Sequence, residues 1–329
     1  MLTSKLNETF CEISSKFELQ KVQKMNEYYF ISKFETSNEL PDYFFNTNDY
    51  LGLQNQDVLF NFKLVSEVSK KVLARIHFYI DGKIAHNPSK APFGGLETCI
   101  SDTEVISEFW QKTEEILRKK GCKRIEIRCW PDAYQDNSFQ ILEKLGFELL
   151  FSDYNYHHIV SAPEALLLFL KPERKRFRKC LKAGFVFEYW KNPDTKLAHE
   201  LLSQFRKAKN IPLNISQEQL LKSVETFPEK YFFFLVKNEN KMIGISVCVE
   251  INQDILYHFC LATDPDYFLF SPSVMLYEGI YRFCLDKNYT LFDFGTASIS
   301  GEKQIGLSIF KTKLGGIESQ KPTYFKTIA

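Results

Sequence analysis

Residues 291–316 read LFDFGTASISGEKQIGLSIFKTKLGG, and the order of elements written there decides the fold. Apolar Leu291, Phe292 and Phe294 surround one acid, so the first segment reads as a strand carrying Asp293 within it. Phe292 and Phe294 then share one face of a sheet, and Asp293 lies on the other. A carboxylate inside a strand is expensive to bury unpaired, so Asp293 needs a partner. A loop follows, then a short helix "GLSIFKTKLGG" stopped by Gly315. That helix carries Lys311 and, two positions on, a competing Lys313.

The triplet Asp293-Phe294-Gly295 is spelled like the magnesium-binding element of protein kinases, but the other kinase parts are missing. No G-x-G-x-x-G occurs, and no histidine is followed by Arg-Asp. Asp293 therefore needs another role.

The halves of the chain repeat one plan. "KVLARIHFYIDGKIAHN" alternates and breaks at Asp81-Gly82, which predicts a hairpin. "TEVISEFWQKTEEILRKKG" places Val105, Ile106, Phe109, Trp110, Thr113, Ile116 and Leu117 at helical spacing, with Asp102 as N-cap and Gly121 as stop. A strand "CKRIEIRCW", a short helix "SFQILEKLGF" and a strand "NYHHIV" come next. The second half has a hairpin "KYFFFLVKNENKMIGISVCVEI", a third strand "DILYHFCLA" and a helix "PSVMLYEGIYRFCLDKN". "TLFDFG", the short helix and a last strand "PTYFKTI" complete it. At nearly constant spacing Trp110 matches Tyr277, Ile125 matches Phe292, Glu126 matches Asp293 and Leu145-Gly146 matches Leu314-Gly315, which predicts an internal duplication. Between the halves a basic helix, "KPERKRFRKCLKAG", leads to two more helices; in the second of these Ser216 and Gln219 have capping-box spacing.

Composition sets bounds on what the chain can be. With 329 residues, 44% of them hydrophobic, it can bury about two cores. Lys and Arg number 42 against 41 Asp and Glu, so no global field favours nucleic acid or an acidic membrane. No apolar run reaches membrane-spanning length and the first twenty residues have no apolar core, so a cytoplasmic protein is expected. Eight cysteines without a C-x-x-C read as buried free thiols.

A hairpin, third strand, long helix, strand, short helix ending in Leu-Gly-Phe and last strand resemble the GNAT acyltransferase fold. The duplication and the basic junction make the chain similar to the FemABX family, the methicillin-resistance-type aminoacyltransferases and their relatives. "NPSKAPFGGLE", "ERKRFRKCLKAGF" and "FDFGTASISGEKQIGLSIFKTKLGG" carry the resemblance. It implies an α+β chain of two GNAT-like domains, at 1–162 and 163–329, each a mixed, mainly antiparallel sheet flanked by helices. It also implies amide-bond formation between an activated acyl or aminoacyl donor and an amine, with Lys311 beside the developing oxyanion. Asp293 would receive the amine proton, orient Lys311 or bond loop amides.

Donor binding departs from the simpler acetyltransferases, because neither half has the Gln/Arg-x-x-Gly-x-Gly/Ala loop that cradles coenzyme A. Ser271 and Ser273 at the start of a helix are the better anion seat, or ordinary caps. Arg174 and Arg178, one helical turn apart, are candidates to grip a phosphate-rich partner such as aminoacyl-tRNA or a nucleotide-linked precursor, against a merely solvated face. Gly94 and Gly95 allow close approach of an acceptor, or form a plain turn. No tightly bound cofactor and no metal are expected, and acyl-CoA enters only as a candidate co-substrate. "HELLS" lacks the second zinc histidine, having Ser203 in its place, and the adjacent His157 and His158 point to opposite faces of a strand. A non-catalytic binding module and a small-molecule N-acetyltransferase remain as alternatives.

Overall fold

A computed structural model describes residues 27–29, 40–53, 58–66, 71–88, 90–100, 102–134 and 138–328. Cys11 and the first twenty residues lie outside them. The chain divides into two compact units, Met1–Ser152 with Gln320–Ala329, and Asp153–Ser319.

The first unit contains β1 (Glu27–Tyr29), α1 (Asn48–Gly52), β2 (Val58–Val65), β3 (Val72–Asp81), β4 (Ile84–Asn87), β5 (Glu97–Thr98), α2 (Thr103–Lys119), β6 (Arg124–Arg128), α3 (Ser138–Lys144) and the start of β7 (Glu148–Ile159). Alternation on β2 and β3 puts Phe60, Phe62, Ala74, Ile76 and Phe78 on one face. There they form one buried core with Ile125 and Ile127 of β6 and with Ile106, Phe109, Trp110 and Leu117 of α2. Burial of each such aromatic or large aliphatic side chain contributes about 1.5–3 kcal/mol. Asp102 caps α2 as expected, its carboxylate accepting from Glu104 N and Val105 N.

The opposite face of β2 and β3 is polar yet buried. Asn61 lies across from His77, and Lys63 across from Arg75. Arg75 donates to Glu97 Oε2 at 2.7 Å and to Asp42 Oδ1 at 2.6 Å. Tyr43 N and Asn46 Nδ2 also donate to Glu97, so the segment before α1 is tied to this face through one buried acid. Burial, then the Arg75 guanidinium, pushes the Lys63 ammonium down to about 8.

The second unit takes up the rest of β7 and continues with α4 (Ala165–Leu168), α5 (Lys171–Lys182), β8 (Phe185–Tyr189), α6 (Thr195–Lys207), α7 (Gln217–Thr226), β9 (Tyr231–Asn238), β10 (Lys241–Asn252) and β11 (Ile255–Thr263). It ends with α8 (Pro272–Asp286), β12 (Leu291–Thr296), the ribbon β13 (Ser298–Ile299) and β14 (Glu302–Lys303), α9 (Ile305–Lys313) and the first residues of β15 (Ile317–Thr327). Its strands run in the order β8-β9-β10-β11-β12-β7. Phe234, Val236, Leu256, Phe292 and Phe294 pack with Val274, Tyr277, Ile280 and Tyr281 of α8 and with Phe177 and Cys180 of α5. The capping box at Ser216 and Gln219 forms as the spacing predicts.

The duplication is visible element by element: β2-β3-β4-α2-β6-α3 corresponds to β9-β10-β11-α8-β12-α9. The last strands are exchanged. β7, made by the first half, pairs antiparallel with β12, whereas β15, made by the second half, pairs antiparallel with β6. This displaces the boundaries expected at 162/163, because a strand belongs to the sheet that satisfies its backbone groups, wherever it falls in sequence.

Candidate functional site

The site grows from a parting of two strands in the second unit. β11 and β12 pair in parallel only at Ile255–Leu291, Leu256–Phe292 and Tyr257–Asp293. β11 continues to Thr263, while β12 bends toward β7 with a register irregularity between Asp293 and Gly295. Gly295 has φ +73°, a conformation that side-chain-bearing residues rarely adopt. Asp293 is fully buried and fixes the bend, its Oδ1 accepting from Gly295 N at 2.7 Å and from Asn155 Nδ2 at 2.8 Å.

Lys311 fills the place where the ladder stops. Its ammonium donates to the carbonyls of Phe294, Gly295 and Thr296, each at 2.8 Å. These are three acceptors at the end of a strand that has left its neighbour, and an ammonium has three donors to match. α9 presents an inverted face: Ser308 and Lys311, one turn apart, are buried, while Ile305 and Ile309 are exposed. The buried face is polar because it meets carbonyls and a phenol, with Tyr156 Oη lying 2.5 Å from both Ser308 Oγ and Glu318 Oε2. Lys303 completes this chain at 2.7 Å from Glu318. Asp293 and Lys311 are thus brought together around one residue, Gly295.

Three aromatic groups that the sequence reading did not single out adjoin them. Burial, then Asp293, raises the Tyr257 phenol well above its ordinary value, and burial also holds Tyr277 protonated. His258, the first β11 residue beyond the parting, packs edge-on to Tyr277 at 5.0 Å, and its Nε2 is buried without a hydrogen-bond partner. The signal in the sequence was a histidine inside the apolar strand "DILYHFCLA".

Burial, then the Lys311 ammonium, pushes the His258 imidazole down to about 3. Because its folded value lies below the unfolded value of about 6.5, the unfolded chain takes up the proton first. The stabilising contribution is complete above pH 6.5 and is lost as pH falls toward 3. At pH 5 this amounts to about 2 kcal/mol. His77 and His158, whose imidazoles burial also pushes down, to about 3 and about 4, add to the acid loss. Urea unfolding at pH 7 and pH 5 should therefore show a difference about 2 kcal/mol smaller in His258→Phe than in the native chain.

The remaining expected residues have separate places. Arg174 is half-buried and Arg178 exposed on α5, which meets the start of α8 where Lys179 Nζ donates to Leu269 O at 3.1 Å and Cys180 Sγ to Phe270 O at 3.2 Å. Ser271 stands at the N-cap of α8 with φ +59° and makes no side-chain cap, its Oγ lying 3.3 Å from Ser273 Oγ. The preceding loop consumes its own amides, since Tyr267, Phe268, Phe270, Ser271 and Val274 all donate to loop carbonyls. It is a poor cradle for a pyrophosphate.

Gly94 and Gly95, read as allowing close approach of an acceptor or as a plain turn, have close neighbours of their own. Both are buried in the first unit. A Cβ on Gly94 would lie 2.6 Å from Asn87 Oδ1, and one on Gly95 2.8 Å from the Trp130 ring. Their smallness serves packing. Glu126, the matching acid of the first half, is half-exposed in an ion pair with Arg124 at 2.7 Å, so the acid at this strand position is buried in β12 and not in β6. Of the described cysteines, five are buried and all are free, as expected.

Two GNAT-type acyltransferase folds in tandem are the class that this architecture defines. No protein-family model matches the sequence, and no curated protein matches it. Among solved structures the chain is similar to FemX, with a TM-score of 0.61 and 14% identity over 78% of this chain and 85% of that one. It is also similar to the C-terminal domain of a putative lysylphosphatidylglycerol synthetase from Agrobacterium fabrum, with a TM-score of 0.55 and 15% identity over 80% and 84% of the two chains. L-PGS from Bacillus licheniformis gives a TM-score of 0.53 and 14% identity over 80% and 82%. What is shared at these identities is the fold. Among the described residues no helix is long and apolar enough to cross a membrane.

Proposed function

We propose that the second unit transfers an acyl or aminoacyl group from an activated donor to an amine, forming an amide at the parting of β11 and β12. The observation that carries this reading is the buried Lys311 ammonium set at the open end of the parted strands. Attack by the amine forms the C–N bond, the donor's ester or thioester bond breaks, and the proton lost by the amine ends on the departing oxygen or sulfur, which leaves as the alcohol or thiol. Negative charge develops on the acyl oxygen, and an ammonium already desolvated and oriented stabilises it far more than one in water. Lys311 reaches that oxygen by exchanging one of its carbonyl bonds. Asp293 acts as a positioning residue, holding the Gly295 peptide on which the ammonium rests. The name of the Agrobacterium fabrum neighbour, a lysylphosphatidylglycerol synthetase, supports aminoacyl transfer as a chemistry this fold carries. Arg174 and Arg178 are assigned to a phosphate-bearing donor or acceptor, whether acyl-CoA, aminoacyl-tRNA or a nucleotide-linked cell-envelope precursor, while Ser271 and Ser273, whose loop amides are already taken, are left to the start of α8.

A second reading is favoured by one feature: all three ammonium donors are occupied, as suits a binding module that catalyses nothing. Incubating the chain with acyl-CoAs and an amine, or with aminoacyl-tRNA mimics and nucleotide-linked precursors, separates the two by mass spectrometry. Amide product is the expected outcome. A ligand that raises the melting midpoint by mass action yet yields no product with any pair would leave only the binding module.

A further inference from the structure

We propose that α5 and the loop before α8 form a surface that docks onto an anionic lipid bilayer. This goes beyond the transfer reaction and does not depend on it. Phe268 and Leu269, neighbours in that loop, are 69% and 66% exposed, a pair of large apolar side chains presented to water side by side. Lys179 joins them to the basic helix, since its ammonium donates to Leu269 O and lies 4.6 Å over the Phe270 ring. The outer face of α5 carries exposed Lys171, Lys175, Arg178 and Lys182, with Leu181 exposed among them. The helix has a single acid, Glu173, which is buried and neutralised by Arg176 at 2.8 Å, so nothing on the helix offsets the outward positive charge. Asp266, the exposed acid of the loop, lies at its other end within electrostatic reach of Lys241.

Apolar side chains ringed by lysine and arginine match the interface of a bilayer, where hydrocarbon takes up the tips and anionic headgroups meet the cations. RNA would use the cations equally well, but it offers stacking faces for aromatic rings and nothing for Leu269 or Leu181. The aliphatic content of the patch therefore favours lipid. The whole chain needs only a surface contact for this, not a span.

Cosedimentation of the full chain with phosphatidylcholine vesicles, with and without phosphatidylglycerol, tests the proposal. Binding should require the anionic lipid and weaken as salt rises. The pair Phe268→Ser/Leu269→Ser and the pair Arg178→Glu/Lys182→Glu should each weaken it by about tenfold. All four side chains are exposed, so both variants should keep the native melting midpoint. Absence of binding to anionic vesicles at low salt would overturn the proposal. Equal binding to neutral vesicles, unchanged binding by the serine variant, or binding to tRNA with none to vesicles would overturn it as well.

Discussion

Replacing Lys311 with alanine lowers the stability of the second unit by about 3 kcal/mol or more and reduces amide formation by at least about tenfold. The stability loss follows from three carbonyls, those of Phe294, Gly295 and Thr296, that lose their donor together. A buried acceptor left unsatisfied costs about 1–3 kcal/mol, and Thr296, only half-buried, contributes least. A lysine on a solvated helix face would instead change stability by less than about 0.5 kcal/mol. Urea unfolding distinguishes these outcomes directly. A small change would mean that Lys311 does not close the end of β12. Lys313, the competitor in sequence, is half-exposed at the end of α9, and its alanine variant serves as the matched control.

Gly315→Ala destabilises by about 3 kcal/mol, whereas Gly146→Ala, at the corresponding turn of the first half, costs about 1 kcal/mol. Both glycines have positive φ, +76° and +81°, which accounts for the smaller cost at each. They differ in surroundings. A Cβ on Gly315 would run into the carbonyl of Leu168, which is backbone and cannot step aside, while one on Gly146 would meet only the end of the Lys326 side chain at 3.7 Å. Gly315 also stands next to Gly316, whose N–H donates to Lys311 O at 3.0 Å. The clash at Gly315 is therefore transmitted to α9, and Gly315→Ala should lose transfer activity while Gly146→Ala keeps it. Equal costs at the two sites would contradict the close seating of the α9 turn on α4.

Much of the fold was legible because its elements announce themselves locally. Asp102, Gly121, Ser216 and Gly315 mark helix ends by side-chain chemistry, and the alternation of Phe292, Asp293 and Phe294 gave the strand face correctly. β2 went unread although Phe60, Phe62 and Leu64 alternate with Asn61 and Lys63 there, because its outward residues are polar groups that are buried rather than solvated. The exchange of β7 and β15 could not be read, since a strand's own residues do not say which edge will pair with it. The choice between Lys311 and Lys313 was illegible for a similar reason. Helical spacing places Ser308 with Lys311, but an apolar Ile305 and Ile309 on the same helix argue for the opposite face being buried. Only the three carbonyls of β12 that accept from Lys311, beside the bend at Gly295, make the polar face the inner one. At Gly94 and Gly95 the sequence left ligand approach and a plain turn open, and it could not show that Asn87 and the Trp130 ring lie close against them.

The most direct test of the central claim is the rate of amide formation by a folded Lys311→Gln variant, compared with the native chain and the same donor and amine. Glutamine keeps a hydrogen-bond donor for the carbonyls but carries no charge, so native circular dichroism and cooperative melting would certify the fold. A rate reduced by at least about tenfold in that folded variant is the predicted result. An unchanged rate would contradict the assignment of the transfer site to the parting of β11 and β12.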